Sequence, residues 1–290
     1  MSSAGDVIYR PDKRSFSWGL WLRQIRAIVG LELAKNFLSR RSILIYLIAL
    51  LPLLPLTVLI FVPKNSEELS FNNIGKIYAL LYYTLILRTV IFFGCAWIFM
   101  NLFRGELVDR SLHYYFLSPV RREVLVAGKY LSGLVTSIIL FTSTTVIAML
   151  MLYFPNYYSQ SLRYFTEGRG LGELLVYVGI TMLACVGYGA FFLVVGLFIR
   201  NPIIPALLLY GWEWLNFLLP PLLKKISVIH YLNSMMPVPV SSIITEGPLA
   251  VVAEPTPAWI SIPSMLLVTV IVLVLSAYRT RHMEIRYGND

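Results

Sequence analysis

Charge is the scarcest property of this sequence. Aspartate, glutamate, lysine and arginine make up 13% of its 290 residues and 58% are hydrophobic, against roughly 25% charged and 45–50% apolar in an average soluble domain. So little charge excludes the solvated surface that a soluble protein of this size requires. Cysteine is almost missing too: Cys95 and Cys185 both fall within long apolar runs and have no ligand-like neighbours, so they read as packing residues, not as a disulfide or a metal site. The three histidines, His113, His230 and His282, lie in separate loops or tails. Neither H-E-x-x-H nor G-x-S-x-G occurs, which leaves hydrolytic and metal-dependent chemistry without a candidate. A phosphate loop is also missing, because Gly128-Lys129 is followed by Tyr130 and has Glu123 where the first glycine would stand.

Long apolar runs are what the chain has in abundance. They form six blocks at approximately 43–62, 77–103, 130–154, 173–199, 203–222 and 260–278, each long enough for the ~20 helical residues that cross a bilayer core. Runs such as ILIYLIALLPLLPLTVLIFV over 43–62 do not alternate in polarity as barrel strands must, and helices satisfy their own backbone hydrogen bonds in lipid. The expectation is an all-α membrane protein whose six transmembrane helices occupy residues 43–278. The first block starts only at Ile43, which speaks against a cleaved secretory signal and keeps residues 1–42 in the cytoplasm. With that end inside, the inner flanks hold seventeen lysines and arginines and the outer ones six. Basic residues are retained on the cytoplasmic side, so both termini, including the tail 279–290, are expected there. Topology and attraction to anionic lipid account for the net charge of +9 with no nucleic-acid partner.

Before the first block, Trp18, Leu22, Ile25, Val29, Leu33 and Phe37 recur at helical spacing. Arg23, Arg26, Lys35, Arg40 and Arg41 supply a basic face or end, and the pattern predicts an amphipathic helix over 16–38 lying in the inner membrane interface. Pro52 and Pro55 predict a kink in the first span. Gly179, Gly187, Gly189 and Gly196 in the fourth span predict close helix approach. Residues 155–172 read as a polar connector. The outer loop 223–259, set in a stretch holding eight of the sixteen prolines between 220 and 263, cannot carry a continuous helix, so short interfacial or re-entrant helices such as 228–236 are expected.

Residues 104–129, RGELVDRSLHYYFLSPVRREVLVAGK, fit neither pattern. Eight of these 26 residues are charged, yet Val108, Leu112, Tyr115 and Phe116 stand at i, i+4, i+7 and i+8, the mark of a short amphipathic helix. Ser118-Pro119 then reads as a break, with serine as cap and proline at the first position of a second helix leading through Lys129 into the third span. An elbow with exposed aromatics and both charge signs suits docking into a groove of another protein.

This order of features resembles the permease subunits of ABC transporters of the second exporter-type family: a basic amphipathic helix, two spans joined to the rest by FRGELVDRSLHYYFLSPVRREVLVAGKYLSGLV (103–135), and the longest outer loop before the last span. The resemblance implies that Glu106, Asp109, Leu117, Ser118, Pro119, Val120, Arg122, Glu123, Gly128 and Lys129 belong to the coupling region, which in that family rests on the nucleotide-binding subunit. Arg110-Ser111 stands where family members often carry Gly-Thr. Also implied are a separate ABC ATPase that binds ATP and magnesium and performs the hydrolysis, no cofactor in this chain, a dimer of permeases (homodimer or heterodimer), and a prokaryotic inner (plasma) membrane. The family moves lipids, glycans, drugs, peptides or ions.

Arg88 and Glu213 are the charges well inside the predicted spans. Such charges are costly unless they are paired or face water, so the two are expected to pair, within one protomer or across the dimer seam, or to face a shared polar path. Trp212, Trp214 and Phe217 could line an apolar route or simply face lipid. Two other functions stay open on the residues alone: a secondary transporter, which would use mid-membrane charges for ion coupling, and a non-transporting scaffold or immunity-type membrane protein.

Overall fold

The computed structural model describes residues 18–40, 42–61, 71–108, 121–199, 201–215, 220, 227–238 and 256–281. Among them every regular element is a helix: α1 (Trp18–Leu38), α2 (Ser42–Leu50), α3 (Leu53–Ile60), α4 (Phe71–Leu81), a π-helical stretch (Tyr82–Ile91), α5 (Phe92–Val108), α6 (Arg122–Thr166), α7 (Gly170–Phe198), α8 (Ile203–Trp214), α9 (Val228–Ser234) and α10 (Ala258–Arg281). Five stretches are long and apolar enough to cross a membrane: Ser42–Ile60, Asn73–Gly105, Arg122–Pro155, Gly170–Phe198 and Ala258–Tyr278. The chain is an all-α membrane protein. The fifth apolar block appears as α8, whose 12 residues reach only ~18 Å at about 1.5 Å per residue; most of that block beyond Leu215 lies outside the described residues.

Two spans form the centre of the bundle. Asn73–Gly105 and Gly170–Phe198 are 67% and 61% buried within the protein, whereas Ser42–Ile60 and Ala258–Tyr278 are each 22% buried and turn Leu47, Leu54, Val58, Leu267, Val270 and Val274 outward, toward acyl chains. Apolar side chains gain little by leaving lipid for protein, so such helices are held by close packing and a few hydrogen bonds. The glycines show how. A Cβ on Gly196 would stand 2.6 Å from the Met100 Cα, and one on Gly189 would stand 2.5 Å from the Phe99 ring, so these two positions let α7 seat against α5. Gly187 abuts Met265 of α10, while Gly179 meets nothing within 4 Å and takes no part in the approach.

The kink predicted in the first span lies at Leu51-Pro52, between α2 and α3. Pro55 falls in the first turn of α3, where a missing N–H costs little. The polar connector expected over 155–172 is largely helical instead: α6 continues through Pro155 to Thr166, bent at Tyr157 (φ −138°, ψ 47°). Aromatic packing stabilises the bend. Tyr153 stacks on Tyr164 at 5.5 Å, Phe71 meets Tyr153, Tyr157 and Tyr164 edge-on, and the Ser161 hydroxyl donates to the Tyr153 carbonyl at 2.7 Å. Burial and the nearby Glu173 carboxylate hold the Tyr164 phenol well above its ordinary value, so this phenol stays neutral at any physiological pH.

Candidate functional site

The helix that enters the third span is described from Arg122, with Arg121 extended before it (φ −68°, ψ 141°); the expected break at Ser118-Pro119 lies outside the described residues. Asp109, Leu117, Ser118, Pro119 and Val120, and the side chain of Glu106, lie outside the described residues. Arg122 and Glu123 are half-buried on the first turn of α6, where the Glu123 carboxylate complements the positive end of the helix dipole.

Lys129 is not a surface residue. Its side chain is 0% exposed and its Nζ lies 2.9 Å from Glu32 Oε1. The ammonium also donates to the Leu102 carbonyl at 2.7 Å and sits 5.2 Å from the centre of the Phe103 ring. One cation therefore joins α1, the last turns of α5 and the start of α6. Lys35 reaches the same Glu32 oxygen at 3.5 Å from the more exposed side. Deleting one partner of a buried pair costs about 3–5 kcal/mol, because the other charge is stranded.

Three further contacts continue this brace. The Arg121 guanidinium lies 5.1 Å from the Trp21 ring centre, Gly128 leaves room for Ile28, against which a Cβ would stand at 2.9 Å, and Asn36 donates to the Thr136 hydroxyl at 3.2 Å. The numbers rise together, from 21 opposite 121 to 36 opposite 136, so α1 runs alongside the start of α6 in the same direction. A helix lying flat in the interface would cross α6 at one place only. The protein-facing side coincides with the predicted stripe over most of its length: Ile25, Val29, Leu33 and Phe37 are half-buried beside the buried Glu32, while Trp18 and Leu22, at its start, are 66% and 64% exposed.

Mid-span, Arg88 occupies the π-helical stretch, close to the midpoint of Asn73–Gly105. In a π-helix the backbone bonds run i to i+5, and the side chains follow: Arg88 Nη2 donates to the Tyr83 hydroxyl at 2.7 Å. Its guanidinium lies 4.4 Å from the Tyr83 ring centre and 5.7 Å from that of Trp214. Only 9% of the residue is exposed, and its Nε has no acceptor. A charge at this depth costs at least ~2.5–3.5 kcal/mol on insertion scales.

Glu213, next to Trp214, makes no ion pair with Arg88 among the described residues. Its carboxylate accepts the Ser227 hydroxyl at 2.5 Å and the N–H groups of Val228 and Ile229 at 3.1 and 3.2 Å. It thus caps α9, taking up two of the four amide protons that a helix N-terminus leaves unsatisfied. The sequence reading missed Glu32, Tyr83 and Ser227. Farther along the span, Tyr78, Tyr82, Thr145 and Thr181 satisfy one another or nearby carbonyls and hold helices together.

No group of three His, Cys, Asp or Glu side chains able to hold a metal ion occurs among the described residues. No family model, curated protein or solved structure matches the chain.

Proposed function

We propose that this protein is the membrane-spanning permease subunit of an ABC transporter of the exporter type, coupled through residues 104–129 to a separate ATPase. In this reading it has six crossings, the fifth in chain order built on α8 and the residues after it, both termini lie in the cytoplasm of a prokaryotic inner membrane, and two permeases assemble with two ATPases. The brace at Lys129 is the observation that supports the reading best. A push on the charged 104–129 segment enters α5 on one side and α6 on the other, and the Glu32–Lys129 pair ties both to α1. Force at one short segment thereby moves three helices as a unit, which is what a transmission element must do. Lys129 and Glu32 act as positioning residues; contact with the ATPase falls to the residues from Glu106 to Glu123.

The test is reconstitution of the full chain with its co-purifying ATPase in vesicles. Charge reversal at Glu106 together with Arg122 is expected to leave the protein folded while ATP hydrolysis no longer drives transport. Unchanged transport with unchanged ATPase association would defeat the proposal.

A further inference from the structure

We infer that the groove between α2, the second span and α8 holds one acyl chain of a membrane phospholipid, bound as part of the structure. The inference needs only that the protein lies in a bilayer, so it stands apart from the permease reading.

The groove has a volume of about 360 Å³ and is walled by Leu44 and Ile48 of α2, Phe93, Trp97 and Met100 of α5, and Ile203 of α8, among others. Ala96 and Ala206 also line it and are buried, so two side chains that stop at Cβ leave the space open. Across the gap, α8 touches the second span through Tyr210, whose ring packs 5.3 and 4.7 Å from those of Phe92 and Phe93. The groove opens outward, since Leu44, Ile203 and Leu207 in its wall are exposed.

Polarity is the first property that selects the occupant. Among the lining residues the one hydroxyl, on Thr89, donates to the Thr84 carbonyl at 3.2 Å, and the Trp97 indole is the one other polar side-chain group. A buried water needs two to four polar partners, so water is excluded, and an empty groove would forfeit dispersion contacts along every wall. Within a bilayer the filling at hand is hydrocarbon, which is as apolar as leucine.

Length is the second. From Val90, two residues after Arg88 near mid-span, to Met100, the wall runs for about 15 Å at ~1.5 Å per residue, half of the ~30 Å hydrocarbon core. The chains of one leaflet fill that half. Leu44 and Ile203 stand in the first turns of α2 and α8, so those walls also begin at one end of the bundle. Width is the third. That volume over that length leaves a section of about 24 Å², room for a single hydrocarbon chain and too little for a helix, which is ~10–12 Å across with its side chains. Charge agrees with a phosphate at the Met100 end: α5 continues from Met100 to the half-buried Arg104, and the exposed Arg40 precedes Leu44 by four residues.

Lipid retained by the full chain tests this. The protein is extracted in a sterol-based detergent, whose rigid rings do not enter a single-chain groove, washed free of bulk lipid and weighed by native mass spectrometry. Palmitoyl-oleoyl phosphatidylglycerol is then added back while unfolding is followed by temperature. The wild type should keep one phospholipid per chain, rebind it saturably after complete removal, and unfold at a higher temperature when it is bound. Ala206→Trp and Ala96→Leu, which extend side chains into the groove, should lose both the retained lipid and the thermal shift. Leu267→Trp, on an exposed part of α10, should keep both. No saturable phospholipid in the wild type, undiminished retention in the two groove variants, or equal loss in Leu267→Trp overturns the inference. If Ala206→Trp does not fold, Ala96→Leu with undiminished retention overturns it equally. Phospholipid bound by monomers and released on dimerisation would assign the groove to a second copy and also overturn it.

Discussion

Lys129→Met should be among the most damaging single changes in the molecule, because it removes the fully buried ammonium that joins Glu32 to the Leu102 carbonyl and leaves the Glu32 carboxylate to the half-exposed Lys35 at 3.5 Å. We expect a loss of about 3–5 kcal/mol in thermal or denaturant unfolding of the full chain. Glu32→Gln combined with Lys129→Met should recover most of it; strictly additive losses would mean that the two do not act as a pair. At Glu213 the geometry predicts a different partner from the one charge counting suggests. A double-mutant cycle of Glu213→Gln with Ser227→Ala should show coupling above ~0.5 kcal/mol, and the cycle with Arg88→Gln should stay within that additivity margin. The cost of an unpaired charge in lipid is legible in sequence, and it points to Arg88 and Glu213. Their partners are not, because Tyr83 and Ser227 are neutral and Ser227 sits in a proline-rich stretch with no periodicity to place it. Glu32 was within reach. It stands seven residues after Ile25 and three after Val29 on one helix face, and a carboxylate there demands a cation, yet a stripe drawn through apolar residues alone passes over it.

Among the elements, helices announce themselves by length and polarity, and four of the six apolar blocks reappear within a few residues of their expected limits, with the block at 130–154 lengthened at both ends. Direction and rotation depend on contacts between distant segments, so an amphipathic pattern alone does not orient α1. Cross-linking checks the new placement. In a chain with Cys95 and Cys185 replaced by alanine, cysteine pairs at 28 with 128 and at 36 with 136 should both form disulfides, since α1 and α6 keep step over that length. A flat helix would give one at most. The glycines make a second claim at this scale. Gly196→Val should destabilise the bundle by roughly 1–3 kcal/mol through overpacking against the Met100 backbone, measured as a lower unfolding temperature, while Gly179→Ala should be close to neutral.

Across the whole molecule, the central spans connect the brace at Lys129 to the arginine at mid-depth. Lys129 fixes α1 and α5 to α6; α5 continues through the π-helical stretch that carries Arg88. Movement delivered at 104–129 would therefore reach the neighbourhood of Arg88 along one helix. The most direct measurement places a photo-cross-linking amino acid at Leu117, Ser118 or Val120 in the full chain in its native membrane, and at buried Ser132 as the internal comparison. The first three positions should capture a polypeptide containing a phosphate-binding loop, and position 132 should not. Capture of lipid alone, or of this chain alone, from all three positions would contradict the permease reading.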